Sequence, residues 1–479
     1  MSGAPEGFDA TILRKEAQQG GVIHVARDAH RLQAMRAALE FFAPELPVFH
    51  FPAWDCLPFD RVSPNADISA QRMSSLASFL APMPKSYVVL TTLSAASQRV
   101  PARAIVGSAV FRASVQSRVD EQALRAFLVR MGFTQTPTVM EPGDYSIRGG
   151  IIDIFPPGLS EPIRLDFFGD TLDGIRQFDP ATQRTVKSLE KVELSPVSEV
   201  ILDEASIRRF RQNYRIEFGA AGTDDPLYEA ISAGRKHQGV EHWLPFFHEE
   251  MDTLFDYLPD ATVIVDDQLT PARLARWDTI ADQYDARKTA FTQKGRLDTV
   301  YKPAPPELLY LNDAAWQEAL AGRRQVALSV LAQPTGLNVL DAGARLGRNF
   351  APERQNEALS LFGAVSDHIK NKRAAKPVVI TSYSTGARER LSGLLQDEGH
   401  GELIEISNIK GLRGAGTYLA VSPLEHGFET EDLLVISEQD ILGDRLVRST
   451  KKRKRADNFL TETQSLSPGD LVVHVDHGV

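Results

Sequence analysis

The chain has 479 residues, 43% of them hydrophobic and 24% charged, and its 53 basic and 63 acidic side chains give a formal net charge of −10. These are the proportions of folded globular domains, three or four of them at this length, and the acidic balance repels phosphate backbones at long range, so any nucleic-acid contact must be local. Cys56 is the single cysteine, which excludes an internal disulfide and Cys-rich zinc sites and fits a reducing cytosol.

In chain order, "GVIHVA" (21–26) is a short apolar run with β-branched residues. It precedes "RDAHRLQAMRAALEFF", where Leu32, Met35, Leu39 and Phe42 keep helical spacing. "PVFHFPA" (47–53) and "SYVVLTT" (86–92) are further buried-strand candidates, with a helix near "ISAQRMSSLASFL" between them. Residues 1–109 therefore read as the first part of a parallel α/β domain. The pattern changes over 110–198 to an α+β segment: "VFRASVQSR", a helix in "DEQALRAFLVRMGF", then successive hairpins. "DATVIVDDQ" (260–268) returns to the buried-strand type, so 199–335 reads as the second part of an α/β domain split by the β-rich insert.

A third, smaller α/β unit is expected over 350–447, from "PVVITSYSTGARERLSGLL", "TYLAVSPL" and "DLLVISEQDIL". Residues 448–465 form a charged linker containing Lys451, Lys452, Arg453, Lys454 and Arg455. "LSPGDLVVHVDHGV" (466–479) starts a new strand-like element and stops inside it, as expected of a chain cut within a domain. The opening residues lack the apolar stretch of a secretory signal, and no run of about 18 apolar residues follows. A cytoplasmic protein without a membrane span is expected.

Residues 145–170, "YSIRGGIIDIFPPGLSEPIRLDFFGD", set an arginine, a glycine pair and two adjacent phenylalanines into one hairpin region. Ile163, Leu165 and Phe167 alternate onto one face of a strand, leaving Arg164, Asp166 and Phe168 on the other. An aromatic beside an arginine on a polar face is either covered by the same chain or held out for a partner, since both residue types are enriched at interfaces. Ordinary sheet packing is the simpler alternative. Alternation fails in the first strand of this region, so Arg148 cannot be placed beside Arg164 from pattern alone.

Nucleotide hydrolysis needs a Gly-rich loop, a lysine and a hydroxyl for magnesium, G-x-x-x-x-G-K-[ST], and no segment matches. The nearest is "GAPEGFDAT" (3–11), with Gly3 and Gly7 in loop positions, Ala10 where the lysine would stand, and Thr11 after it. Asp9 would set a negative charge against phosphate. Asp266 and Asp267 end an apolar strand, as in the magnesium-holding strand of nucleotide-hydrolysing folds. Without the lysine loop, a strand end with solvated acids is the expected reading. "GLRGAG" (411–416) reads as a turn, and His474, Asp476 and His477 are a poor metal set without a fourth ligand. No metal site and no catalytic residue is assigned. The basic run 451–455 could meet DNA phosphates with salt-sensitive, sequence-blind affinity, although a solvated linker is the simpler reading.

Four stretches carry a resemblance across essentially the whole chain: "FPAWDCLPFDRVSP" (51–64), "EPGDYSIRGGIIDIFPPG" with "PIRLDFFGDTLDGIRQFDPATQRT" (141–185), "EHGFETEDLLVISEQDILGDR" (425–445) and the closing "LSPGDLVVHVDHGV". Their order resembles the N-terminal half of the bacterial transcription-repair coupling factors, the Mfd family, whose first three segments resemble the excision-repair protein UvrB. The resemblance implies a degenerate RecA/helicase-like α/β domain split by an inserted UvrA-binding module. It also implies that 466–479 begins a CarD/Tudor-like domain contacting the RNA polymerase β subunit. Arg148, Arg164 and Phe168 match the positions that contact UvrA, Phe168 supplying apolar area and the guanidiniums pairing with partner carboxylates.

In that family the ATP-dependent DNA translocase lies beyond Val479, so ATP and magnesium are not expected to serve this chain, and DNA binding should be weak or absent. "AWDCLPFDRVSP" is also too short for the aromatic hairpin with which UvrB probes DNA. Two alternatives stand beside this reading: a UvrB-like ATP-dependent DNA-damage-processing enzyme, and a non-catalytic α/β scaffold without UvrA binding.

Overall fold

The computed structural model describes residues 1–219, 225–292, 301–334, 336, 338–356 and 358–443. The expected basic run 451–455 and the element at 466–479 lie outside these residues. The first unit opens with α1 (Phe8–Ala17), β1 (Gly21–Ala26), α2 (Ala29–Phe42), β2 (Val48–Phe51), α3 (Ala66–Phe79) and β3 (Tyr87–Thr92). Asp28 and Asn65 cap α2 and α3, each side chain accepting a first-turn backbone N–H. Strands this apolar are stable only when covered on both faces. Accordingly β1 is buried almost throughout, and it lies at the centre of a five-stranded, all-parallel sheet.

The chain leaves this sheet after β3 and returns to it much later. Strand β12 (Thr262–Val265) pairs in parallel with β1, matching Val22 to Thr262 and Val25 to Val265, and β13 (Gln325–Ala327) adds the edge. Between departure and return lies an insert with β4 (Phe111–Ser114), α4 (Glu121–Arg130), β5 (Thr134–Gln135), β6 (Asp144–Arg148), β7 (Ile151–Ile154), β8 (Ile163–Phe168), β9 (Thr171–Phe178), β10 (Thr185–Leu189) and β11 (Lys191–Leu194). Strands β6 to β10 form consecutive antiparallel pairs, β5 adds in parallel at one edge, and β4 pairs with β11 separately. Its core gathers Leu124 and Leu128 of α4 with Ile152, Ile154, Ile163, Leu165, Leu172 and Ile175.

After the insert, α5 (Glu204–Phe218) and α6 (Pro226–Ser232) build an aromatic core of Phe210, Tyr214, Trp243 and Phe247, into which Phe59 of the "FPAWDCLPF" stretch inserts. The third unit holds β14 (Arg345–Leu346), α7 (Leu361–Arg373), β15 (Pro377–Ser382), α8 (Thr385–Asp397), β16 (Ile404–Glu405), β17 (Gly416–Val421), β18 (Phe428–Glu429) and β19 (Leu434–Ser437). Its sheet order is β14-β18-β19-β15-β17-β16. The "GLRGAG" stretch is the turn that precedes β17.

This third unit has its own sheet but does not stand alone. Phe428 meets Phe8 of α1 and Phe42 of α2, each at 5.6 Å between ring centroids, and Val379, Tyr418 and Leu424 share one continuous core with the first unit.

The "FPAWDC" stretch has a job that its irregular pattern hides. Arg72 of α3 and Glu199, just past the insert, form an ion pair with both side chains wholly buried, Arg72 Nε lying 2.7 Å from Glu199 Oε1. Trp54 Nε1 donates to the same oxygen at 2.7 Å, and Arg72 Nη1 donates to the Pro52 carbonyl at 2.8 Å. The guanidinium carbon also stacks 4.4 Å from the Phe51 ring centroid and 5.6 Å from that of Trp54. A charge this deep survives only with its donors and acceptors satisfied. The clamp therefore fixes the point where the insert rejoins the first unit.

Candidate functional site

Two tight hairpins set one end of the insert's sheet. Gly149 takes a left-handed conformation (φ +60°) between β6 and β7, and Gly169 does so (φ +62°) between β8 and β9. Gly150 has a different reason to be glycine: a Cβ there would lie 2.9 Å from the Phe167 carbonyl oxygen. Its own carbonyl accepts the Phe167 N–H at 2.8 Å. The glycine pair thus sets the turn and lets β8 close against it.

Cross-strand partners share a face of the sheet. The register Arg148↔Ile151↔Asp166 and Ser146↔Asp153↔Arg164, with Phe168↔Thr171 beyond, places Arg148, Ile151, Asp153, Arg164, Asp166 and Phe168 on one outward side. Phe168 is 84% exposed, more than any other large hydrophobic residue among those described. Ile151 is 36% exposed on the same face. Sequence reasoning missed Ile151, although its position beside a buried Ile152 was the available signal.

Asp153 was missed as well, and it organises the arginines. Its carboxylate, 2% exposed, accepts from Arg164 Nε at 2.7 Å and Arg164 Nη2 at 2.9 Å, and lies 3.9 Å from Arg148 Nη2. This pairing raises the Arg164 pKa above its ordinary value. Arg164 also lies over the Phe178 ring at 4.7 Å. Within the chain Arg164 already has a carboxylate partner, because register sets a buried acid directly opposite it. Arg148, whose side chain is half exposed, donates to the Pro137 carbonyl at 3.2 Å and keeps a free edge.

Phe167 faces the core as alternation required, but it is only partly buried at the strand end. A large stability cost belongs instead to fully buried Leu165. Leu165→Ala is expected to destabilise the insert by about 2–5 kcal/mol. A urea midpoint within error of the parent would contradict this.

The segment compared above with a phosphate loop, residues 3–11, is packed inside the fold. Gly3 is held beside the backbone of Ala344, Ala10 lies wholly buried in the core of the first unit, and Thr11 follows it on α1. Asp9 Oδ1 accepts the backbone N–H groups of Gly7 at 3.0 Å and Ala10 at 2.8 Å, so both amides are satisfied within the chain. Its other oxygen pairs with Arg31, whose Nε lies 3.0 Å from Asp266 Oδ1 and 3.6 Å from Glu6 Oε1. From outside, Leu424 and Phe428 of the third unit come within 3.0–3.2 Å of where a Gly7 Cβ would sit.

Asp266 therefore corrects the expectation of a solvated strand end: it is 5% exposed and ion-paired, while Asp267 beside it is partly exposed. The parallel pairing of β12 with β1 brings Asp266 to α2, where Arg31 neutralises it.

Burial, reinforced by the Glu6 and Asp266 carboxylates and opposed by Arg31, raises the Asp9 pKa from 3.8 to about 6. The folded state thus holds this proton more tightly than the unfolded state. The resulting stability is full below about pH 4 and is lost as pH rises through about 6. Asp9→Asn keeps the amide-accepting oxygen and is expected to remove this part of the fall between pH 4 and 6. Urea midpoints of parent and variant that run parallel across that range would contradict it.

The antiparallel insert, with Phe168 exposed on its outward face, is carried on a parallel α/β scaffold. Residues 111–200 match the family model for the UvrB interaction domain, and residues 371–441 match that for the MFD D3 domain. Transcription-repair-coupling factors of Rickettsia bellii (28% identical), Escherichia coli K12 (30%) and Bacillus subtilis (22%) align over 98–100% of this chain. Along its whole length the chain is thus similar to the N-terminal part of those factors. It spans about two fifths of each relative's length: 41%, 40% and 41%.

Among the described residues, no helix is long and apolar enough to cross a membrane. No group of three or more metal-ligating side chains occurs among them either.

Proposed function

We propose that this chain is the partner-recruitment region of a transcription-repair coupling factor, bringing UvrA of nucleotide excision repair to RNA polymerase stalled at a lesion. The observation that carries the reading is Phe168, held 84% exposed at a hairpin tip within the UvrB interaction domain. On docking, a ring this exposed contributes its whole apolar area to the interface. Ile151 extends the apolar area, Arg148 supplies the accessible charge, and Arg164 is tied across the strands to Asp153. The RNA polymerase β-subunit contact and the ATP-driven DNA translocation implied by the family belong to sequence outside the described residues. The deciding experiment is direct titration of purified UvrA against the whole chain. Saturable binding supports the reading, and no binding at micromolar concentrations overturns it.

This reading also makes the chain non-hydrolytic. The Asp9–Arg31–Asp266 cluster fills the phosphate position, so replacing the missing lysine alone should not revive the loop. Ala10→Lys is expected to leave MgATP binding undetectable by calorimetry and to lower stability, because the ammonium would enter an apolar core. ATP binding gained by that single substitution would contradict the closed-loop account.

A further inference from the structure

The outer face of α5 carries Arg208, Arg211 and Arg215, all exposed, along one helical stripe at i, i+3 and i+7. None of the three comes within ion-pair distance of a carboxylate among the described residues, although Glu204 and Glu217 lie on the same helix. Arg209, on the flank turned inward, shows the usual arrangement: it pairs with Glu249 at 2.7 Å and donates to the Phe247 carbonyl at 2.9 Å. Tyr228 of α6 holds the stripe in place. Arg211 Nε donates to its hydroxyl at 3.4 Å, and the Arg215 guanidinium lies 5.5 Å from its ring centroid.

We infer that this face of α5 contacts the phosphate backbone of duplex DNA. Seven residues of helix cover about 10 Å. A DNA strand presents one phosphate per about 3.4 Å of axis, so the three long side chains can reach about three consecutive phosphates. Guanidinium is the group suited to that contact, since its fork of donors binds phosphate bidentately and its charge is permanent.

A protein partner fits the face less well. The shallow depression of about 480 Å³ here is lined by the three arginines, Gln212 and Ile216, so Ile216 alone offers apolar area. Stable protein interfaces need a larger buried apolar centre. In a chain of net charge −10 the attraction is confined to the stripe, so binding is weak, blind to sequence and dependent on salt.

The test is anisotropy of a labelled 30-base-pair duplex titrated with the full chain at 50 and 200 mM salt. About three phosphate contacts predict a loss of roughly fortyfold between those concentrations. Arg208→Gln, Arg211→Gln and Arg215→Gln together should weaken binding at least tenfold at 50 mM and flatten most of the salt dependence. Arg208→Glu, at a side chain with no hydrogen bond or ion pair to lose among the described residues, should by itself weaken binding several-fold and guards against misfolding of the triple variant. Serine at residues 451–455 should leave the effect of the triple substitution in place. The inference fails if the duplex does not bind at 50 mM salt or binds the triple variant equally well. It also fails if serine at 451–455 abolishes binding, or if the triple variant loses UvrA affinity while keeping DNA affinity.

Discussion

Phe168→Ala should weaken UvrA binding at least roughly tenfold, because truncating a central aromatic anchor costs on the order of 2 kcal/mol or more. Fold stability should barely move. The ring is 84% exposed and projects from the last residue of β8, so the core loses almost nothing with it. Leu165→Ala, three residues earlier on the opposite face and wholly buried, gives the reverse pattern: impaired stability with the outward face intact. Titration of UvrA against both variants, with urea unfolding of each, separates docking from packing. A folded Phe168→Ala chain that binds UvrA undiminished would reduce this face to ordinary sheet. Arg164→Ala should affect both measurements, since it strips a buried Asp153 of its two donors.

Arg72→Ala is expected to cost about 3–5 kcal/mol, the penalty for leaving one member of a buried ion pair without its counter-charge. Glu199 would keep only Trp54 as a side-chain donor, and the stacking on Phe51 and Trp54 would go too. Arg72→Met with Glu199→Gln should recover part of the loss, because neither side chain then carries a stranded charge. The urea midpoint of each variant is the measurement. If Arg72→Ala alone unfolds like the parent, the clamp contributes nothing to how the insert is seated. A weaker seat should also loosen the docking face, since the insert re-enters the first unit beside Glu199.

Local pattern carried part of the candidate site and lost the rest for identifiable reasons. The clean alternation of residues 163–168 was enough to turn Phe168 outward, because a strand has only two faces. Residues 145–154 contain a turn with two glycines, which breaks the period, so Arg148 could be related to Arg164 only through the register that β6 and β8 share with β7. Asp153 stood between isoleucines without any local mark of being the acid that both arginines approach.

The sequence by itself determined the buried parallel strands, the α+β character of the insert, the outward phenylalanine and the lack of a G-x-x-x-x-G-K-[ST] match, since each depends on residue type and short-range period. Tertiary structure alone decided where charges meet across long separations. Arg31 and Asp266 are 235 residues apart, and Arg72 and Glu199 are 127 apart. Both pairs come together only when β12 returns to the sheet beside β1 and when the insert closes back on α3. A buried charge is stabilised by whatever counter-charge the fold brings to it, and that neighbour has no periodicity along the chain.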